Sequence, residues 1–325
     1  MIKRSEISVI VQGPYYPNIT DKVLNNIYNQ FKGSELIFST YKDTNLDNNF
    51  KKKFKILINK NPKKTPMSLK PLQYYNYCGQ IRTTLNGLKY AKNKFCLKTR
   101  SDVIFTSKNF LDFFDKYKKF NKKLKILEKK VLLSSFNTVD PQKEPLPFHF
   151  SDWFYFGLKK DLLKIFNQNY MSKENMDVPL WFLNKRKPKY FFNNYMSRYR
   201  TEQHITKNFL QKYINLKLNH GYEHNIKNIM LTEKILSNNF VILNPSQISI
   251  KSLKHPNFLK NNDLIYFNEK ITNHKWQKLY KKYCSQDFKI NSIEMSSIVK
   301  TILWTIKSPK QAIYRFIMYK KNKLI

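Results

Sequence analysis

The sequence predicts an α/β protein with a mostly parallel sheet flanked by helices, and two patterns indicate this fold. Short β-branched runs alternate with stretches in which apolar residues recur at helical spacing. The first run is Ile7–Val11, and the helical face that follows it is formed by Val23, Leu24, Ile27 and Phe31. In addition, polar groups follow the apolar runs directly, which is where α/β proteins bind ligands, outside the carboxyl ends of their strands.

The alternation continues along the chain. We predict further strands at Leu36–Phe38, Phe54–Ile58, Phe95–Leu97, Val131–Phe136 and Phe148–Gly157. We predict further helices at Gln80–Ala91, around Phe110 to Tyr117, from Leu162 and from Ile205. The Pro-, Lys- and Asn-rich stretch Asn59–Tyr77 is predicted to be a long loop over the strand ends, and its alternative is a surface insertion.

The chain divides into three predicted parts: a main domain at 1–250, a connecting helical segment at 251–290 and a tail at 291–325. The tail mixes apolar residues, among them Trp304, with seven basic residues and one acidic residue, Glu294. This composition is typical of a helix that lies on an anionic membrane surface. The alternative is a terminal helix packed on the core.

The net charge of +38, from 60 basic and 22 acidic residues, indicates either a polyanionic partner or an AT-rich genome. Only seven of the basic residues are Arg, the residue best suited to reading bases, and no nucleic-acid-binding motif is present. We therefore expect no specific nucleic-acid partner. Without a signal peptide or a membrane-spanning apolar run, the sequence predicts a cytoplasmic protein.

Two strand ends carry candidate ligand-binding groups. Phe95–Leu97 is followed by Arg100 and Asp102, and Ile7–Val11 by Gln12-Gly13-Pro14. Gly13 allows a ligand to approach the backbone, and Gln12 can hydrogen-bond a nucleobase. A strand-ending turn explains either segment equally well without a ligand.

Two carboxylates are candidates for proton transfer. Asp152 lies within the aromatic stretch FHFSDWFYFG, where burial raises a carboxyl pKa and suits a general base. Glu202 opens a predicted helix and lies toward its packed side. The alternatives are an Asp that orients a loop and an acidic residue favoured by the helix dipole.

Four segments, ISVIVQGP, ELIFST, LKTRSD and SDWFYFG followed by TEQ, occur in that order. Over roughly residues 5 to 245 the chain resembles the WavE lipopolysaccharide-synthesis family, which is similar to GT-A glycosyltransferases. The resemblance implies a GT-A-like fold and a nucleotide-sugar donor. It places Gln12, Gly13 and Pro14 near the nucleotide, and Arg100 and Asp102 at the diphosphate.

The resemblance also implies a divalent cation, Mn²⁺ or Mg²⁺, with Asp102 as its ligand. Because Arg100 replaces the other carboxylate of a D-x-D pair, this arginine is the alternative source of positive charge. Asp152 and Glu202 would then face the acceptor, and one of them would be the catalytic base if the reaction inverts the anomeric configuration. A retaining reaction needs neither as a base.

The expected function is therefore transfer of a sugar to a surface glycan, in lipooligosaccharide or capsule synthesis. The acceptor would be a glycan or lipid-linked glycan at the inner membrane face, and the tail at 291–325 would hold the enzyme there as a peripheral membrane protein. The alternatives are a basic nucleic-acid-binding protein and a non-catalytic scaffold on the membrane surface.

Overall fold

A computed structural model describes most of the chain. The described residues are 2–41, 48–61, 66–69, 72–74, 77–144, 146–168, 199–223, 225–256, 270–291, 306 and 309. The predicted tail at 291–325 lies outside them except for residues 291, 306 and 309, so its role stays a prediction. Within the described residues, no helix combines the length and apolar character needed to cross a membrane.

A seven-stranded, mostly parallel sheet forms the centre of the molecule. Its strands are β1 (Ile7–Gln12), β2 (Glu35–Tyr41), β3 (Lys55–Asn59), β6 (Phe95–Arg100), β8 (Val131–Ser134), β9 (Tyr155–Leu158) and β10 (Phe240–Leu243), in the order β10-β8-β9-β6-β1-β2-β3. Six strands run in the same direction, and β9 alone is antiparallel to its neighbours β6 and β8. The predicted mixed α/β class with a mostly parallel sheet is confirmed.

Two small antiparallel pairs accompany the main sheet. They are β4 (Pro66–Leu69) with β5 (Leu72–Tyr74), and β7 (Val103–Phe105) with β11 (Ile250–Ser252). The prediction of a long loop at Asn59–Tyr77 is therefore wrong where β4 and β5 form. Strands of three or four residues are too short to produce a recognisable alternation in the sequence.

Helices flank the main sheet. They are α1 (Ile19–Gln30), α2 (Asn48–Lys53), α3 (Tyr77–Tyr90), α4 (Lys159–Phe166), α5 (Thr201–Leu210), α6 (Ile226–Asn239), α7 (Pro245–Ile248) and α8 (Asn273–Tyr283). Short 3₁₀ turns occur at Arg4–Glu6, Asn109–Phe113 and Lys122–Leu124. The apolar stripe predicted for α1 is buried at Val23, Leu24 and Ile27, which confirms that the helix packs on the core.

Two predicted elements between residues 105 and 156 differ in the structure, because packed aromatic side chains take the place of regular helix and strand there. The helix predicted from Phe110 is only a 3₁₀ turn, and Asp115 follows it with φ +63°. The strand predicted at Phe148–Gly157 begins only at Tyr155, since Phe148 has φ +58°, which is incompatible with an extended strand. Phe110 instead packs edge-on against Phe156, 5.3 Å between ring centroids.

Helix α8 belongs to the packed body of the protein. It contacts α6 and β10, and its Trp276 is fully buried with its ring centroid 4.6 Å from that of Tyr117. Of the predicted connecting segment at 251–290, residues 257–269 lie outside the described residues. The boundaries at 250 and 290 stay a prediction.

Candidate active site

The direction of the strands brings the candidate residues to one edge of the sheet. The parallel strands β1, β6 and β8 end there at Gln12, Arg100 and Ser134, and the antiparallel β9 begins there after Asp152 and Trp153. Gln12 and Arg100 are register partners on adjacent strands. This edge therefore gathers groups that are far apart in the sequence.

Hydrogen bonds tie the ends of β1 and β6 together. The Ser101 backbone N–H donates to the Gln12 carbonyl (3.0 Å), and the Ser101 hydroxyl donates to the Pro14 carbonyl (2.7 Å). The buried Gln12 side chain accepts a hydrogen bond from the Thr83 hydroxyl on α3 (2.9 Å). Gly13, between Gln12 and Pro14, has φ +127°, which only glycine adopts readily. A Cβ added there would lie 2.9 Å from the Ser101 hydroxyl.

Arg100 and Asp102 form a two-bond ion pair. Nε and Nη2 of Arg100 each donate to one carboxylate oxygen of Asp102, both at 2.9 Å. Burial alone raises the pKa of Asp102, but the hydrogen bonds and charge of Arg100 outweigh it and hold that pKa below its usual value. The Asp102 side chain is 2% exposed and the Arg100 side chain 24%, so the arginine is the partner that reaches solvent.

An aromatic ring fixes the plane of the guanidinium. The Arg100 Cζ lies 4.3 Å from the centroid of the Trp153 ring, and that ring in turn packs edge-on against Phe136 at 4.5 Å. With one edge bonded to Asp102 and one face on Trp153, Arg100 keeps N–H groups on Nη1 and Nη2 for a further acceptor. A guanidinium held in this way is well suited to a phosphate group.

Lys98 lies two residues before Arg100 and is completely buried. Its ammonium group donates to the backbone carbonyl of Asp152 and lies 5.6 Å from the Tyr155 ring centroid. Burial lowers the pKa of Lys98 to about 8, against the opposing effect of the Asp152 charge. Lys98 therefore supports the segment that carries Asp152 and Trp153.

The two candidate bases, Asp152 and Glu202, lie in the same interior region as Lys98. One carboxylate oxygen of Asp152, Oδ1, is buried and has no hydrogen-bond partner among the described residues. Burial, followed by the charge of Asp152, raises the pKa of Glu202 to about 7. Asp152 therefore lies close enough to Glu202 for its charge to disfavour the ionised form of Glu202.

The sequence did not predict Lys254 and His255, which lie beside Asp102. The backbone N–H of Leu253, after β11, donates to the Asp102 carbonyl (2.9 Å), and the charges of Lys254 and His255 help to lower the Asp102 pKa. Lys254 also donates to the Tyr16 hydroxyl (3.0 Å). No local sequence pattern marks this segment, because only the pairing of β11 with β7 brings it to the site.

The model of one protein family, WavE lipopolysaccharide synthesis, matches residues 7–307. The chain belongs to the WavE family. The match contains every predicted site residue from Gln12 to Glu202 and extends well past residue 245, where the resemblance was expected to end.

No curated protein matches the chain. Among solved structures, the crystal structure of S. aureus TarS is similar over 42% of this chain and 22% of that chain, with 17% identity and a TM-score of 0.26. The alignment thus spans about a fifth of the length of TarS, and a likeness at this score supports no argument about the WavE protein.

The residues of this WavE protein do not by themselves assemble the expected cation site. Each oxygen of Asp102 accepts a hydrogen bond from Arg100, so a cation bound to Asp102 would lie beside the positive charge of the guanidinium. Among the described residues, no three His, Cys, Asp or Glu side chains gather where they could hold an ion. Asp102 as a ligand of Mn²⁺ or Mg²⁺ stays a prediction.

Proposed function

We propose that this WavE protein is a glycosyltransferase that moves a sugar from a nucleotide-sugar donor to a surface-glycan acceptor. The observation that carries the proposal is the oriented guanidinium of Arg100, paired with Asp102 and stacked on Trp153, at the carboxyl edge of a parallel sheet. Arg100 would bind the donor's diphosphate, with Lys254 adding positive charge at the same place.

The chemistry is a displacement at the anomeric carbon. The bond from this carbon to the diphosphate oxygen breaks, its electron pair stays on the departing nucleoside phosphate, and Arg100 stabilises the charge that develops there. An acceptor hydroxyl forms the new glycosidic bond. In an inverting reaction its proton passes to a carboxylate.

Glu202 is the base favoured by its surroundings. Its pKa of about 7, raised first by burial and then by Asp152, suits proton transfer near neutral pH. Its side chain is 16% exposed, so a substrate can reach it, whereas Asp152 is buried more deeply. Asp152 would assist by keeping Glu202 a strong base.

The proposal extends to the acceptor of the sugar. A lipid-linked glycan at the inner membrane face fits the family's role in lipopolysaccharide synthesis and the basic, Trp-containing tail at 291–325. The enzyme would then bind the membrane peripherally. A capsule or lipooligosaccharide precursor is the expected class of acceptor.

The test measures nucleotide release from UDP-, GDP-, CMP- and ADP-sugars in the presence of extracted lipid-linked glycans. Arg100→Gln and Asp102→Asn should each lower turnover of the active donor by about 100-fold or more, in line with loss of one charge-stabilising group. Arg4→Gln and Asp112→Asn are matched controls, because both residues are exposed and lie away from this edge. Full turnover in both site variants, or no turnover of any donor by the unmodified protein, would contradict the proposal.

A further inference from the structure

Three polar side chains meet beside the end of β8. Asn137 follows this strand with φ +63°, His149 lies in the segment that leads to β9, and Glu202 is the second residue of α5. The His149 Nδ1 is 2.9 Å from the Asn137 carbonyl oxygen, and the Asn137 side-chain amide donates to Glu202 Oε1 at 3.4 Å. His149 Nε2 lies 3.6 Å from Glu202 Oε2.

The contact between Asn137 and His149 determines where the imidazole carries its proton. A carbonyl oxygen only accepts hydrogen bonds, so the proton is on Nδ1 and Nε2 presents a lone pair to Glu202. Burial, followed by the charge of Lys270, lowers the pKa of His149 to about 3 against the effect of the Asn137 carbonyl. The ring is therefore neutral, and His149 and Glu202 do not form an ion pair at neutral pH.

A lone pair directed at a carboxyl group favours its protonated form, since only that form has an O–H to share. The other groups that act on Glu202 oppose one another. Asp152 and burial favour the proton, and Arg200 and Arg100 favour the carboxylate. Lys98 and Tyr155 also interact electrostatically with Glu202.

We infer that His149 is a positioning residue for Glu202: held by the Asn137 carbonyl, its ring presents Nε2 to the Glu202 carboxyl and accepts a hydrogen bond from it once the acceptor's proton has arrived. The inference rests on the proposed function, in which Glu202 receives that proton. The proton moves from the acceptor hydroxyl to a Glu202 oxygen, stays on Glu202 rather than passing to His149, and is released to solvent after the product leaves, which restores the base. His149 stays neutral and stabilises the protonated form of Glu202.

The state of the His149 ring can be tested without any substrate. The full chain is labelled with [¹⁵N]histidine, and His149→Gln identifies one of the six histidine signals. We expect ¹⁵N shifts that report a protonated Nδ1 and an unprotonated Nε2 from pH 8 down to pH 5. A proton on Nε2, or a charged ring forming near pH 6.5, would overturn the inference even if the glycosyltransferase activity is established.

The coupling to Glu202 is tested by titrating its ¹³Cδ signal, which Glu202→Gln identifies. We expect a midpoint near pH 7 in the unmodified protein and a lower one in His149→Gln, because the new amide can donate to the carboxylate. His274→Gln on α8 is the matched control and should leave the Glu202 midpoint unchanged. An unchanged midpoint in His149→Gln, with the other histidine signals intact, would overturn the inference.

Activity provides a separate outcome. If a donor is turned over, the acidic limb of its pH–rate profile should move to lower pH in His149→Gln, and kcat should fall more than the KM for the acceptor changes. If the unmodified protein turns over no donor but shows the expected histidine and Glu202 titrations, the proposed function is contradicted and the placement of His149 stands.

Discussion

At the residue scale, the ion pair between Arg100 and Asp102 sets the local charge at the carboxyl edge of the sheet. A basic side chain stands where the family resemblance implied a second carboxylate, and it occupies both oxygens of Asp102. In the proposed reaction, Arg100 would supply the positive charge that the departing diphosphate needs. Asp102 would keep Arg100 oriented, in the way that a structural partner fixes a functional group.

Glu202 should lower the free energy of unfolding by a measurable amount. In the folded protein its pKa is raised from 4.5 to about 7 by burial and by Asp152. The folded state therefore binds more protons than the unfolded chain between these values, so the contribution of Glu202 to the free energy of unfolding falls as pH rises through this window. We expect Glu202→Gln to be more stable than the unmodified protein at pH 8, by roughly 1–3 kcal/mol.

Urea unfolding at pH 4.5 and pH 8 checks this expectation. The difference should shrink greatly at pH 4.5, where Glu202 keeps its proton in the folded state. The opposite pH dependence of His149 is present in both proteins and cancels. Glu128→Gln is the control, because this carboxylate pairs with Lys160 at the surface and should gain nothing at pH 8. A Glu202→Gln protein that is no more stable at pH 8 would refute the burial argument.

At the scale of elements, the ends of the strands position the site. The turn after β1 is an example, because its backbone packs closely against Ser101. Gly13 lets the chain reverse beside Ser101, which holds Pro14 through its hydroxyl group. We expect Gly13→Ala to cost about 1–3 kcal/mol in unfolding free energy, because a side chain at φ +127° is strained and meets Ser101. Nucleotide binding should weaken as well.

The matched control is Gly33→Ala. Gly33 also has positive φ, at +90°, but an added Cβ would meet only the Arg4 Cβ at 4.0 Å. Both variants should lose stability in a thermal melt, and only Gly13→Ala should lose nucleotide affinity by isothermal titration. Equal affinity in the two variants would remove the β1 turn from the site.

Sequence patterns predicted the strand ends because a parallel sheet brings its carboxyl ends to one edge whatever the rest of the chain does. Gln12 and Arg100 were selected as candidates in this way, whereas Asp152 was selected for its aromatic surroundings, and the roles of all three stay predictions. Lys98 was missed because a lysine after three apolar residues resembles a strand end, whereas β6 continues through it to Arg100. Its burial depends on Asp152, which is distant in sequence.

His149 and Asn137 were missed for a related reason. Neither belongs to a recognisable motif, and their relation to Glu202 depends on the path of two irregular segments with positive φ at Asn137 and Phe148. Lys254 likewise reaches Asp102 only through the pairing of β11 with β7. Periodicity predicts regular elements, but it does not predict how irregular segments approach one another.

At the scale of the whole molecule, the basic surface and the tail would place the enzyme on its substrate. The tail at 291–325 holds seven basic residues and Trp304. Each basic residue near an anionic surface contributes about 1 kcal/mol to binding. We expect deletion of 291–325 to reduce sedimentation with phosphatidylglycerol-containing vesicles by at least about 10-fold at physiological salt.

The rest of the chain is also basic, so a second variant separates insertion from simple charge attraction. Trp304→Ser preserves the charge of the tail and removes an interfacial anchor, and it should weaken vesicle binding to an intermediate degree. Pure phosphatidylcholine vesicles should bind all forms poorly. Unchanged sedimentation of the deletion variant would contradict membrane docking through the tail.

The central claim, a nucleotide-sugar site built around Arg100, is tested most directly by a thermal-shift panel of UDP, GDP, CMP and ADP with and without Mn²⁺. A ligand that binds the native state raises its melting temperature by mass action. We predict that one nucleotide raises it by several degrees, and that Arg100→Gln abolishes the shift while Arg4→Gln keeps it. No shift with any nucleotide, or the same shift in Arg100→Gln, would contradict the account.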